Sequence, residues 1–294
     1  QHWRQQENIK IIDSRVPNKI FDLTANLWKF NFDRFVEADI FYSPHLNILN
    51  CQRRPRILTI HDISFIHHPR FFSLKHRLWH KLQRLEKQVR QSSHIVTNSN
   101  YTKNDLVDIF KVNPEKISVI YPGINPEVGP ININSDHKPD FPFVLYLGTL
   151  EPRKNVGLII AAFNILKTKK NFRTLKLVLA GKWGWLYQSL TGDIKRSPYA
   201  EDIIVLGQIS LTDKIMLYNL AEAFIYPSFF EGFGFPPLEA QACKCPVVAS
   251  NRTSLPEILG NSAILVDPWK PVILAEAVDS LLTSDSLRRH FVSL

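Results

Sequence analysis

Residues 228–242 read Ser-Phe-Phe-Glu-Gly-Phe-Gly-Phe-Pro-Pro-Leu-Glu-Ala-Gln-Ala and follow the apolar run Phe224-Ile225-Tyr226. The run predicts a buried strand. Gly232 and Gly234 predict a loop that turns with no side chain in the way, and Pro236 with Pro237 predicts a helix start, where a missing N–H is harmless. A strand, a glycine loop and a helix start leave several backbone N–H groups aimed outward with the positive end of the helix dipole. An anion suits that place. Glu231 in the loop and Glu239 in the first helical turn are themselves anionic, so they suit sugar or ribose hydroxyls and not phosphate.

Outward from this stretch the pattern repeats. Apolar runs at 143–147, 175–180, 203–206, 246–249 and 263–266 predict strands, and helical patterns at 156–167, from 212 and from 236 fall between them. Strands alternating with helices predict a parallel, doubly wound sheet. The first part reads similarly, with short strands at 38–42, 56–60, 94–97 and 117–120, and Ser99 as N-cap of a helix ending at 110. Residues 9–12 are an apolar run compatible with a strand, and residues 1–37 give no firm reading. Residues 74–91 carry apolar residues at 74, 78, 82, 85 and 89 with cations between them, which predicts one amphipathic basic helix. The stretch 124–142, INPEVGPININSDHKPDFP, has no apolar period and reads as a linker. The expected organisation is α/β, with two Rossmann-like domains facing a cleft: residues 1–123, a linker at 124–142, and residues 143–294.

Lysine and arginine number 36 against 27 acids in 294 residues, a net charge of +9. The excess is local: residues 51–120 hold 13 basic and 5 acidic side chains. That points to an anionic partner, whether nucleic acid, a membrane surface or a phosphorylated substrate. Nucleic acid is disfavoured, because no basic strand pattern interleaved with aromatics and no known nucleic-acid module is present. The 74–91 helix is either a solvated face over a buried stripe or a surface for anionic headgroups. Cys51, Cys243 and Cys245 make neither an even disulfide set nor zinc ligand pairs, which fits a reduced, cytoplasmic setting. The histidines lack metal-ligand partners at suitable spacing, so no metal site is expected. No apolar run is long enough to span a membrane. The chain begins with Gln and ends in a helical pattern, and reads as a fragment at both ends.

Two further stretches carry chemistry. Gly148-Thr149-Leu150-Glu151-Pro152-Arg153-Lys154-Asn155 follows the first strand of the second domain, and Arg153 and Lys154 together could grip a diphosphate, one as a fork and one as a point charge. Alone, the stretch reads as a solvated turn. Facing Glu231 and Glu239, it reads as a site. Paired carboxylates also serve glycosidases, but the loop glycines and the Arg-Lys pair favour a bound diphosphate leaving group. His61-Asp62 ends a strand of the first domain, at the sheet edge where ligands collect.

IHD at 60–62, GTLEPRKN at 148–155 and FEGFGFPPLEA at 230–240, in that order, resemble the family-four glycosyltransferases of GT-B architecture, with bacterial mannosyltransferases of polysaccharide assembly the most similar subgroup. The resemblance implies retaining, metal-independent transfer of a hexose, mannose favoured, from a nucleotide sugar such as GDP-mannose to a glycan or lipid-linked acceptor, with no cofactor. By position, Arg153 and Lys154 would hold the diphosphate and Glu239 the ribose hydroxyls. Glu231 and the amides of Gly232, Phe233 and Gly234 would meet the donor sugar, and His61 its hydroxymethyl end. Gly148 belongs to the same donor-binding set, and the backbone from Gly207 to Ile209 would meet the base. The first strand and glycine-rich loop of many members have no match, so the N-terminal domain is expected to be incomplete and the closing C-terminal helix truncated. A non-catalytic nucleotide-sugar-binding module and another GT-B enzyme, such as an epimerase, are the alternatives. The expected location is cytoplasmic, peripheral at the inner face of the plasma membrane.

Overall fold

A computed structural model describes residues 31–34, 36–46, 50–133 and 138–293. The apolar run at 9–12 lies outside them. Two parallel sheets form, one on either side of the 124–142 stretch. The first has strands β1 (Phe41–Ser43), β2 (Arg56–Ile60), β3 (His94–Thr97) and β4 (Ile117–Val119) in that spatial order. Between β2 and β3 lie α1 (Ser64–His67), α2 (Leu74–Leu82) and α3 (Leu85–Gln91), and α4 (Asn100–Phe110) joins β3 to β4. Ser99 caps α4 as expected, its hydroxyl accepting from the Thr102 N–H at 3.1 Å. Leu58, Ile60, Ile95 and Leu106 are fully buried between this sheet and its helices.

The second sheet contains β5 (Phe143–Leu147), β6 (Lys176–Ala180), β7 (Ile203–Gly207), β8 (Ala223–Tyr226), β9 (Val247–Ser250) and β10 (Ile264–Val266). Its helices are α5 (Val156–Lys167), α6 (Gln188–Arg196), α7 (Leu211–Leu220), α8 (Phe235–Ala242), α9 (Leu255–Leu259), α10 (Pro271–Thr283) and α11 (Asp285–Ser293). A reciprocal capping box, Ser210 with Asp213, starts α7. The spatial order β10-β9-β8-β5-β6-β7 reverses between β5 and β8. Such a reversal opens a crevice at the carboxyl ends of the two strands. Val128, within the stretch read as a linker, is buried in this core, so that stretch is docked on the second domain.

One expectation needs correction. The basic segment 74–91 is two helices and not one: Arg84 turns into the left-handed region (φ 48°), and the Gln88 side-chain amide donates to the Gln83 carbonyl at 2.7 Å in place of a helical N–H. The break turns Leu85 and Val89 into the core but leaves Leu74, Leu78 and Leu82 exposed (79, 60 and 48%). The apolar stripe predicted to be buried is therefore buried only in its second half. The helices at 188–196 and 255–259 carried no clear signal in the sequence.

Candidate active site

The two motif loops leave the neighbouring strands β5 and β8, on either side of the reversal. That places Arg153 and Lys154 beside Glu231. The Lys154 ammonium donates to Glu231 Oε1 at 2.6 Å and to the Tyr226 hydroxyl at 2.6 Å. Arg153 Nη1 donates to the Phe230 carbonyl at 2.7 Å and lies 3.3 Å from Glu231 Oε2, and its Nη2 is 3.1 Å from Glu151. Ser228 Oγ donates to Glu231 Oε1 at 2.6 Å. The side chains of Lys154 and Glu231 are only 10% and 8% exposed. The two cations, read from sequence as a grip for a diphosphate, are thus already paired with carboxylates, because a charge this buried persists only when paired.

This packing sets the protonation states. Burial alone would raise the Glu231 carboxyl, but Lys154 and Arg153 outweigh it and hold it at about 2. Burial pushes the Glu151 carboxyl up despite Arg153 and Lys154. Burial also lowers the Lys154 amine, with Glu231 opposing it. The cluster is a fixed anion between two cations.

His61 and Gly232 come together across the domain boundary. A Cβ on Gly232 would lie 1.9 Å from the His61 carbonyl oxygen, so only glycine permits this approach. The His61 ring is exposed, and its Nε2–H donates to the Pro44 carbonyl at 2.9 Å, which fixes the ring. Phe233 is buried, and Gly234 (φ 107°) caps α8, whose first turn carries Pro236 and Pro237. A cavity of about 240 Å³ lies between the domains, lined by His61, Asp62, Thr59, His80, Arg153 and Trp185.

The remaining predicted residues lie farther along the second sheet. Glu239 accepts from Lys214 Nζ at 2.6 Å and from the Tyr218 hydroxyl at 3.1 Å, so it too has its own cation. Gly148 directly follows β5 (φ 155°) and Gly207 ends β7 (φ 70°), both at the carboxyl edge. Ile209 lines a separate, mostly apolar cavity of about 600 Å³ with Leu206 and Phe141. Among the described residues, no group of three or more His, Cys, Asp or Glu is arranged to hold a metal ion.

Sequence reasoning missed Tyr226, Thr253 and Ser254. Thr253 Oγ1 accepts the Glu231 N–H at 3.0 Å from a left-handed backbone (φ 58°), a strained state for a β-branched residue. Ser254 Oγ bonds the Glu231 and Phe233 carbonyls at 2.9 and 3.0 Å. Together they hold the glycine loop from behind. Tyr226 was legible only as strand, and nothing in the sequence marks Thr253.

Two Rossmann-like domains that meet at their strand ends, one with a charge cluster at its topological reversal, define the GT-B architecture. The chain belongs to the family Glycosyl transferases group 1, whose profile matches residues 131–293, and the profile of Glycosyltransferase Family 4 matches residues 13–128. It is 30% identical over 264 residues to the O-antigen chain mannosyltransferase B of Escherichia coli, covering 84% of this chain and 65% of that one. It is 29% identical over 224 residues to the O-antigen chain mannosyltransferase RfbU of Salmonella typhimurium, covering 73% and 57%. The chain therefore spans less than two thirds of the length of these relatives. The sucrose-phosphate synthase of Thermosynechococcus elongatus superposes with a TM-score of 0.74 at 19% identity over 98% of this chain and 75% of that one, a likeness of fold.

Proposed function

We propose that the protein is a retaining, metal-independent glycosyltransferase that moves a hexose from a nucleotide sugar to a glycan or lipid-linked acceptor. The observation that carries this reading is the Arg153, Lys154 and Glu231 cluster at the sheet reversal, in contact through its glycine loop with His61 of the other domain. The names of the two mannosyltransferase relatives favour mannose as the hexose, and GDP-mannose is the donor this reading puts first.

The arriving diphosphate takes the Arg153 fork and the Lys154 ammonium, and Glu231 turns to the hydroxyls of the donor sugar. The bond between the sugar's anomeric carbon and the diphosphate oxygen breaks, with its electron pair going to that oxygen. The cations and the N-terminus of α8 stabilise the charge that develops. The acceptor oxygen bonds to the same carbon from the same face, and its proton passes to the departing phosphate. In this reading Glu231 is committed to the hydroxyls of the donor sugar, and no carboxylate is needed as a covalent nucleophile. Glu239 would receive the ribose hydroxyls in place of Lys214, and the Gly207–Ile209 backbone the base.

The same reading places the protein at the cytoplasmic face of a membrane. Exposed Leu74, Leu78 and Leu82 lie on the helix pair whose Arg77, Lys81, Arg84 and Lys87 line a groove of about 500 Å³, and among the described residues none of these four cations has an ion-pair partner. An apolar face flanked by unpaired cations suits an anionic lipid surface. No helix among the described residues is long and apolar enough to cross one.

The test is a thermal-shift panel of GDP-, UDP- and ADP-sugars. A ligand present at about 100 times its dissociation constant stabilises the folded state by about 2.7 kcal/mol. GDP-mannose should raise the melting temperature of the wild type, and Lys154→Ala should abolish the shift. If no nucleotide sugar does so, the assignment fails.

A further inference from the structure

The domain contact at Gly232 is reinforced from a second place. Glu257, in the first turn of α9, reaches across the boundary to the N-terminus of α4. One of its oxygens accepts from the Asn100 N–H at 2.6 Å, the Asn100 side-chain amide at 3.1 Å and the Tyr121 hydroxyl at 2.7 Å. The other accepts from the Tyr101 N–H at 2.8 Å. A helix cannot satisfy the N–H groups of its own first turn. In α4 they are divided between the domains: Ser99 of the same domain takes the Thr102 N–H, and Glu257 of the other takes those of Asn100 and Tyr101. Burial disfavours the Glu257 charge, but these donors outweigh it and its carboxyl lies below the ordinary value.

The same turn touches the donor loop. Ser99 Oγ donates to the Gly232 carbonyl at 2.7 Å, and Gly232 lies against the His61 backbone. Glu257 sits three residues beyond Ser254, whose hydroxyl holds the Glu231 and Phe233 carbonyls. One short segment, 253–257, therefore holds the loop on its own domain and grips the opposite domain. The N–H groups that Glu257 satisfies would be satisfied by water if the domains parted, so the grip is reversible.

We propose that Glu257 is a positioning residue, a latch that holds the two domains closed with the glycine loop aligned on His61. It touches neither the charge cluster nor the cleft cavity and acts through the placement of others. Only the turnover arm of its test rests on the glycosyltransferase reading.

Small-angle X-ray scattering of the ligand-free protein tests the latch directly. Glu257→Gln keeps the size of the side chain but turns an N–H₂ donor toward one of the α4 amides, so the scattering should shift to a larger radius of gyration with an unchanged circular dichroism spectrum. Tyr121→Phe removes one bond of the four and should give a smaller shift in the same direction. Identical scattering from Glu257→Gln and wild type overturns the latch, whether or not any nucleotide sugar binds. With GDP-mannose as donor, Glu257→Gln should lose roughly 10- to 100-fold in kcat, the scale of a small misplacement at a reacting centre, with a KM for donor close to wild type. An open conformation with full turnover, or a loss confined to KM, overturns the positioning role.

Discussion

Two groups of cations dominate the molecule, and they are held in opposite ways. Arg153 and Lys154 lie at the reversal of the second sheet, Lys154 buried and Arg153 partly so, with every charge answered by Glu231, Glu151 or a hydroxyl. Arg77, Lys81, Arg84 and Lys87 lie on α2, on α3 and at the break between them, beside a groove floored by Phe65, Ile66 and Leu85 and next to exposed leucines. The first group cannot change its partner without an equivalent anion arriving, so it discriminates. The second is exposed and among the described residues has no ion-pair partner to displace, so under the proposed reading it would meet an anionic surface with little selectivity. Pairing under burial restricts which anion can reach the first group, and exposure leaves the second open to any.

The sharpest way to break this comparison is to remove one buried partner. Lys154→Ala leaves the Glu231 carboxylate buried with Arg153 and the Ser228 hydroxyl as its side-chain partners, and should cost about 3–5 kcal/mol of stability. Urea unfolding measures it. Lys154→Met combined with Glu231→Gln should cost less than Lys154→Ala alone, because the pair is then removed as a unit. If Lys154→Ala unfolds at the wild-type midpoint, the cluster is not a closed ion pair.

The second effect is a pH dependence. Glu231 titrates at about 2 in the folded protein, below the roughly 4.3 of an unfolded glutamate. A depressed folded value means that its stabilisation is complete above the unfolded value and is lost as pH falls from there toward 2. A carboxyl held that far below its unfolded value contributes about 3 kcal/mol. The gap in unfolding free energy between wild type and Glu231→Gln should therefore close by about that amount between pH 5 and pH 2. A gap independent of pH would mean that Glu231 is not ionised in the folded state.

The sequence disclosed the two regions unequally, for a physical reason. The strands at 56–60, 94–97 and 143–147 and the helix at 156–167 carry their own signal in runs of Ile, Leu and Val bounded by polar turns, and they form at those residues. The glycine loop and the Arg-Lys turn could be singled out as candidate site segments because their residue types act locally. That Lys154 spends its charge on Glu231 was not legible, since 77 residues separate them and only the adjacency of β5 and β8 brings them together. The left-handed Arg84 was hidden because nothing in its residue type favours that backbone, and the break depends on a Gln88 to Gln83 bond within the folded domain. Thr253 was hidden for the same reason: its strain is supported by the loop it holds.

The smallest effect separates the two regions most cleanly. Lys81→Ala removes an exposed cation with no ion-pair partner among the described residues, so its stability should stay within about 0.5 kcal/mol of wild type. Its binding to vesicles containing phosphatidylserine should nevertheless weaken by about 1 kcal/mol, roughly fivefold, and raising the salt should shrink the difference between the two proteins. Lys154→Ala should show the reverse pattern, with stability lost and vesicle binding by the folded protein kept. Co-sedimentation with liposomes, read beside urea unfolding of the same preparations, distinguishes them. If Lys81→Ala binds vesicles as well as wild type at low salt, α2 and α3 are only a solvated face. The exposure of Leu74, Leu78 and Leu82 would then have no membrane to answer.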